Sequence, residues 1–233
     1  MITVRRSAER SHVQSGTREA WLTHYSPSEP HWLAGGFGPL ELLREDRIPP
    51  GSRVAIDPRS DAEIVTYVLE GVLAHDDSKG RSGVIHAGEF RRANAAQGSR
   101  RREWNGSRKD WAHVFQIWLR PWSAEPDASS EQKRFYAAER RGVLRAVASP
   151  DGRDGSLCIH QDALIHSAML FPGQHVVHEL APGRRVWLQV LSGEAALGEI
   201  VLAKGDGAGI WAERAVSLTA REESELLLTD LGA

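Results

Sequence analysis

Two short stretches pair an acid with an arginine at a spacing of two, Asp57-Pro58-Arg59 and Arg101-Arg102-Glu103. Residues i and i+2 of an extended chain point to the same side, so Asp57 and Arg59 share one face, as do Arg101 and Glu103. A guanidinium offers N–H donors in a planar fork and no lone pair, so neither arginine can ligate a metal. Such sets can instead pair bidentately in charge-assisted hydrogen bonds. Pairing is the expected solution if they are buried, because an unpaired buried charge is costly.

The other chemistry-bearing residues carry weaker signals. Of the ten histidines, His75 and His113 fall in strand-like stretches and read as hydrogen-bonding groups. His175 and His178 stand three apart, which on a strand turns them to opposite faces. His12, His24, His31, His160 and His166 have no partner at a useful spacing. Glu63 reads as a satisfied polar residue at the start of a strand. Cys158 is the single cysteine, which excludes an intramolecular disulfide and a cysteine-based zinc site; it reads as a small buried hydrophobe. The glycine-rich Gly35–Leu40 lacks the Lys-Ser/Thr of a phosphate loop. Arg91, Arg92, Arg100, Arg102, Arg108 and Lys109 make the region around Arg101 basic, and are read as a solvated rim in preference to an anion-attracting entrance.

The elements that must position these residues are short strands. "EIVTYVLEG", "HVFQIWL", "RRVWLQVLSG", "GAGIWA" and "SELLLTDL" are apolar, rich in β-branched residues and bounded by turn formers. The best helix candidate is Ser129–Gly142, which could equally be an irregular connection. The polar stretch Pro121–Gln132 reads as a linker. The two sides of that linker resemble each other. Val68-Leu69-Glu70-Gly71 and Ala87-Gly88-Glu89-Phe90 match Val190-Leu191-Ser192-Gly193 and Lys204-Gly205-Asp206-Gly207. The expectation is an all-β chain of two small barrels, residues 1–125 and 126–233, each able to enclose a cavity. A net charge of −2 and a pI near 6.6 argue against a nucleic-acid-coating protein. No apolar run is long enough to cross a membrane, the N-terminus lacks a signal-peptide stretch, and the lone cysteine suits a reducing compartment. A cytoplasmic protein is therefore expected.

The runs Asp61–Gly80, Ala87–Phe90, Glu103–Asn105, Gln116–Leu119, Ser149–Ala163 and Arg184–Gly193 resemble the pirins, a family of bicupins, over nearly the whole chain. The resemblance implies two tandem cupin barrels. It also implies a single iron in the N-terminal barrel, held by three histidines and one glutamate, with quercetin dioxygenase activity in some members and regulation through protein partners in others. Here Asp57 and Arg59 stand at the first two histidine positions and Arg101 at the third; Glu103 alone matches. If the family geometry holds, all four converge in one barrel. The resulting expectation is an ion-pair cluster of Asp57, Arg59, Arg101 and Glu103 in place of the metal, with no cofactor. The protein would then be a non-catalytic small-molecule-binding or regulatory one, leaning away from an enzyme. Its expected partners are a small anionic or aromatic ligand in the N-terminal barrel and a protein, with no nucleic acid and no membrane. The rival expectation is an iron-dependent quercetin 2,3-dioxygenase.

Overall fold

The structure, a computed structural model, describes residues 1–24, 37–54, 62–77, 80–94, 101–120 and 129–232. Among these, regular structure is almost entirely β; helix is limited to Ala137–Arg140 and the 3-10 turns Ser7–Glu9 and Arg153–Gly155. Glu63–Glu70 illustrates why. Ile64, Val65, Thr66 and Val68 are β-branched, which suits a pleated surface. The strand is buried along most of its length because Ala112–Leu119 pairs on one side and Glu89–Asn94 on the other.

The chain divides into two compact units, Ser11–Gly36 with Leu40–Arg134, and Met1–Arg10 with Phe37–Pro39 and Phe135–Ala233. Each holds one seven-stranded and one four-stranded sheet. In the first, the smaller sheet runs in the order Arg53–Val54, Arg101–Asn105, Val72–Asp77, Ser82–His86. In the second it runs His175–Glu179, Ala215–Ala220, Glu194–Leu197, Ile200–Ala203. Inward positions alternate along each strand and fill the space between the sheets, as with Ile48, Val68, Leu73, Ile85 and Val114 in the first unit. This is the all-β, two-barrel architecture expected from the repeat.

The repeat has a physical counterpart. Gly88 N–H donates to the Val68 carbonyl at 2.9 Å, and Gly205 N–H donates to the Val190 carbonyl at 2.9 Å. Each hydrogen bond clamps the Gly-acid turn onto the strand that precedes the glycine hairpin, at equivalent places in the two halves.

Two expectations differ from the structure. The segment 1–10 does not group with residues 11–125, because Ile2–Arg5 pairs antiparallel with Gly207–Trp211 and extends the second unit's sheet. Phe37 joins that unit too, edge-on to Trp187 with ring centroids 5.6 Å apart. Within the helix candidate Ser129–Gly142, Ser130–Arg134 is instead a strand on Glu89–Asn94, and only Ala137–Arg140 is helical. Polar, strong helix formers there yield to the open edge of a sheet.

Candidate functional site

Glu103 lies on Arg101–Asn105, whose inward face carries residues 101, 103 and 105 while Arg102 and Trp104 face away. Its carboxylate is buried, and Gln116 Nε2 donates to Oε2 at 2.9 Å. Gln116 is itself positioned by Trp118, whose Nε1 donates to Oε1 of the amide at 3.3 Å. Arg101 Nε lies 3.0 Å from Glu103 Oε1. That distance makes an ion pair, but neither atom has a hydrogen bond of acceptable angle, so the contact is ionic without good alignment. The Arg101 guanidinium also sits over the Trp118 ring, 6.0 Å from its centroid.

A second arginine faces this pair. Arg91 is buried, and burial followed by repulsion from Arg101 pulls its pKa down to about 10, with Glu103 opposing. His75 stands opposite Glu103 in the strand register. Burial, then the charge of Arg91, lowers its pKa to about 4, so its imidazole is neutral near pH 7. Its ring occupies space that a side chain at Gly83 would take, since a Cβ there would lie 2.8 Å from His75 Nε2. Among the described residues the polar site thus combines the Glu103 carboxylate, a neutral imidazole and two guanidiniums, a set that favours an anion.

Of the expected four-residue cluster, the structure brings together Arg101 and Glu103; Asp57 and Arg59 lie outside the described residues. The basic rim is only partly solvated. Arg102 is outward and exposed, bonded bidentately to Asp76 at 2.7 Å through each nitrogen, whereas Arg91 and Arg92 are buried. His113 is a hydrogen-bonding strand residue as expected, with Nε2 2.7 Å from Glu45 Oε1. Glu63 is buried with Arg92 Nε 3.9 Å away. Cys158 is exposed, contrary to the buried hydrophobe expected, because it lies in a two-residue edge strand. Arg91, expected on a solvated rim, is instead buried beside the pair, and the role of Gln116 escaped notice in the sequence. The available signal was a polar residue at an inward position of an otherwise apolar strand.

The low His75 pKa has a pH signature. The unfolded imidazole takes its proton near 6.5 and the folded one only near 4. Stability present above pH 6.5 is therefore lost as pH falls towards 4, at up to about 1.4 kcal/mol per pH unit for this proton. Urea unfolding at pH 7 and pH 5 should show the loss, and a His75→Gln variant should show a smaller one. Equal pH dependence in the two proteins would refute the assignment.

Two mainly antiparallel sheets closing on a core in each unit, with a carboxylate-centred polar site inside the first, define a bicupin. Residues 2–119 match the family described as Pirin, and residues 146–231 match the quercetinase C-terminal cupin domain. The Escherichia coli (strain K12) protein named quercetin 2,3-dioxygenase is 37% identical over 233 residues, covering 99% of each chain. The crystal structure of YhhW from Escherichia coli superposes with a TM-score of 0.91 at 37% identity, covering 99% of this chain and 97% of that one. A structure of the bacterial pirin YhhW in complex with nickel(II) gives 0.89 at 36% identity, covering 100% and 99%. The chain belongs to the pirin family.

The nickel(II) complex of a full-length relative corrects the expectation of a cofactor-free chain. The donors described here do not by themselves make a complete shell. Glu103 is one carboxylate, its neighbours Arg101 and Arg91 are cations, and among the described residues no group of three or more His, Cys, Asp or Glu is arranged to hold a metal. Among the described residues, no helix is long and apolar enough to cross a membrane.

Proposed function

We propose that this chain is an oxidoreductase of the quercetin 2,3-dioxygenase class, working with a divalent metal and taking a planar polyphenol as its anion into the N-terminal barrel. The observation that carries this reading is the end-to-end likeness to a protein named quercetin 2,3-dioxygenase. The chemistry of the pocket agrees with an anionic aromatic ligand. Arg101 and Arg91 attract a phenolate oxygen, which lowers the cost of removing the hydroxyl proton. Glu103, held by Gln116, fixes the place of Arg101 and limits its swing. The neutral His75 can accept or donate a hydrogen bond without adding a third cation. A divalent metal, with Glu103 as one of its donors, would supply Lewis-acid polarisation of a substrate hydroxyl.

The test is oxygen uptake with quercetin after loading with Fe²⁺, Mn²⁺, Ni²⁺, Cu²⁺ or Zn²⁺, together with melting curves in each ion. Turnover with at least one ion and a rise in Tm are expected, since a ligand of the native state stabilises it by mass action. Glu103→Gln should lose turnover at least tenfold. Binding of quercetin without oxygen uptake in every loaded form would overturn the enzyme reading and leave a binding or regulatory protein.

Arg101→Ala separates pairing from exposure. It leaves one oxygen of a buried carboxylate without its cation, at a cost of about 1–3 kcal/mol. A Tm lower by several degrees and a raised KM for quercetin are expected, and an unchanged Tm would show that the pair contributes nothing to stability.

A further inference from the structure

The second unit carries a polar cluster at one end of its apolar core. Ala168, Leu170, Val176, Leu180, Leu226 and Leu228 all pack within that core. Side chains two residues along a strand share its face, which places His166, His178 and Asp230 on the same inner side. The His166 and His178 rings stand 5.1 Å apart between centroids, tilted by 57°. His178 Nε2 lies 2.7 Å from Asp230 Oδ2. Arg184 Nε donates to Asp230 Oδ1 at 2.6 Å, and Arg184 Nη1 donates to Asp162 Oδ1 at 2.8 Å. Asp230 is buried, whereas half of the Asp162 side chain is exposed, at 50%, so the cluster reaches solvent there.

The hydrogen bonds assign the protons. A carboxylate held by Arg184 accepts, so His178 Nε2 donates to it, and in the neutral ring the lone pair is then on Nδ1. His166 Nδ1 is buried with no hydrogen-bond partner. A histidine whose far nitrogen donates to an oriented carboxylate is the usual supporting arrangement of a metal-ligating imidazole. The ring spacing fits as well. Two imidazoles bound at about 2.0–2.1 Å to one tetrahedral ion place their centroids about 5 Å apart.

We propose that His166 and His178 form a two-histidine site for a divalent transition metal of the zinc, nickel and cobalt kind at the mouth of the C-terminal barrel. Asp230 and Arg184 orient His178, and water or a small anion fills the remaining positions. The site is open, with two protein ligands. It is separate from the N-terminal pocket and does not depend on the activity proposed for it.

The experiment is a Co²⁺ titration of the full-length, chelator-stripped protein, read by visible absorption, in a Glu103→Gln background that disables the other barrel. One Co²⁺ per chain with nitrogen-ligand bands is expected. His166→Leu and His178→Gln should each weaken binding at least tenfold, and Asp230→Asn about 10- to 100-fold. If a variant does not fold, as judged by its metal-free melting curve, ¹⁵N imidazole shifts of the unsubstituted protein decide. The His166 and His178 resonances should move together on adding Zn²⁺. Affinity within twofold in a folded His166→Leu protein, or imidazole resonances that stay still, would overturn the proposal and leave the cluster as a hydrogen-bonded plug of the barrel. Absence of quercetin turnover has no bearing on this outcome.

Discussion

Replacing Asp46 by alanine should unfold the protein at a temperature about 10 °C lower, the larger of the electrostatic effects expected. Asp46 is 1% exposed on Leu40–Ile48, between two arginines. Arg18 Nη2 donates to Oδ1 at 2.6 Å, while Arg44 reaches the same carboxylate through Nε at 2.5 Å and Nη2 at 3.1 Å. Both guanidiniums are themselves buried. Removing this anion leaves two cations facing each other in a low-dielectric place. Breaking a buried ion pair by removing one partner costs about 3–5 kcal/mol. In a chain of this size each kcal/mol shifts Tm by about 2–4 °C. Asp46→Asn keeps the shape and loses the charge, so it should recover little. Replacing all three by apolar residues, Arg18→Met, Arg44→Met and Asp46→Leu, should recover most of the loss, because the penalty is uncompensated charge and not lost volume. Urea and thermal unfolding of the three proteins check this. A loss under about 1 kcal/mol for Asp46→Ala would mean that water or rearrangement compensates the arginines.

That buried triad also shows where sequence reading stops. Glu63–Glu70, Ala112–Leu119, Arg185–Ser192 and Ser224–Leu231 were legible because β-branched runs bounded by turn formers carry their own signal. Glu103 and Arg101 were legible as one inward-facing pair because strand geometry ties i to i+2. Arg44 and Asp46 obey the same i to i+2 rule, but Arg18 could not be joined to them, since its meeting with Asp46 depends on which strands lie side by side: Ala20 pairs with Asp46 across a register that no local pattern announces. The His166–His178 pair escaped for the same reason, its members lying on strands of different sheets. The first strand joined the other unit's sheet through edge pairing with Gly207–Trp211, again a non-local choice. The expectation of no cofactor failed differently. It rested on ligand types at a few positions, and a nickel(II) complex of a full-length relative outweighs it.

The repeat seen in the sequence leads to the second large effect. Gly71 and Gly193 end equivalent strands with φ of +75° and +73°. A left-handed backbone there costs an alanine about 1–2 kcal/mol. Space costs more. A Cβ on Gly71 would stand 2.3 Å from the Trp111 carbonyl oxygen, and one on Gly193 would stand 2.1 Å from that of Glu223. Both obstacles are backbone, which cannot rotate away, so strain of about 1–3 kcal/mol adds to the conformational term. Gly183 provides the control, with φ +83° and nothing within 4 Å of its Cβ position. Gly183→Ala should therefore cost only the conformational part, about 1–2 kcal/mol, while Gly71→Ala and Gly193→Ala each cost about 2–5 kcal/mol. Urea midpoints of the three variants separate the terms. Equal losses at all three would show that φ alone demands glycine at the hairpins. A larger loss at Gly71 and Gly193 means that close backbone approach keeps glycine at the same place in both barrels, so the repeated word in the sequence marks a repeated steric constraint.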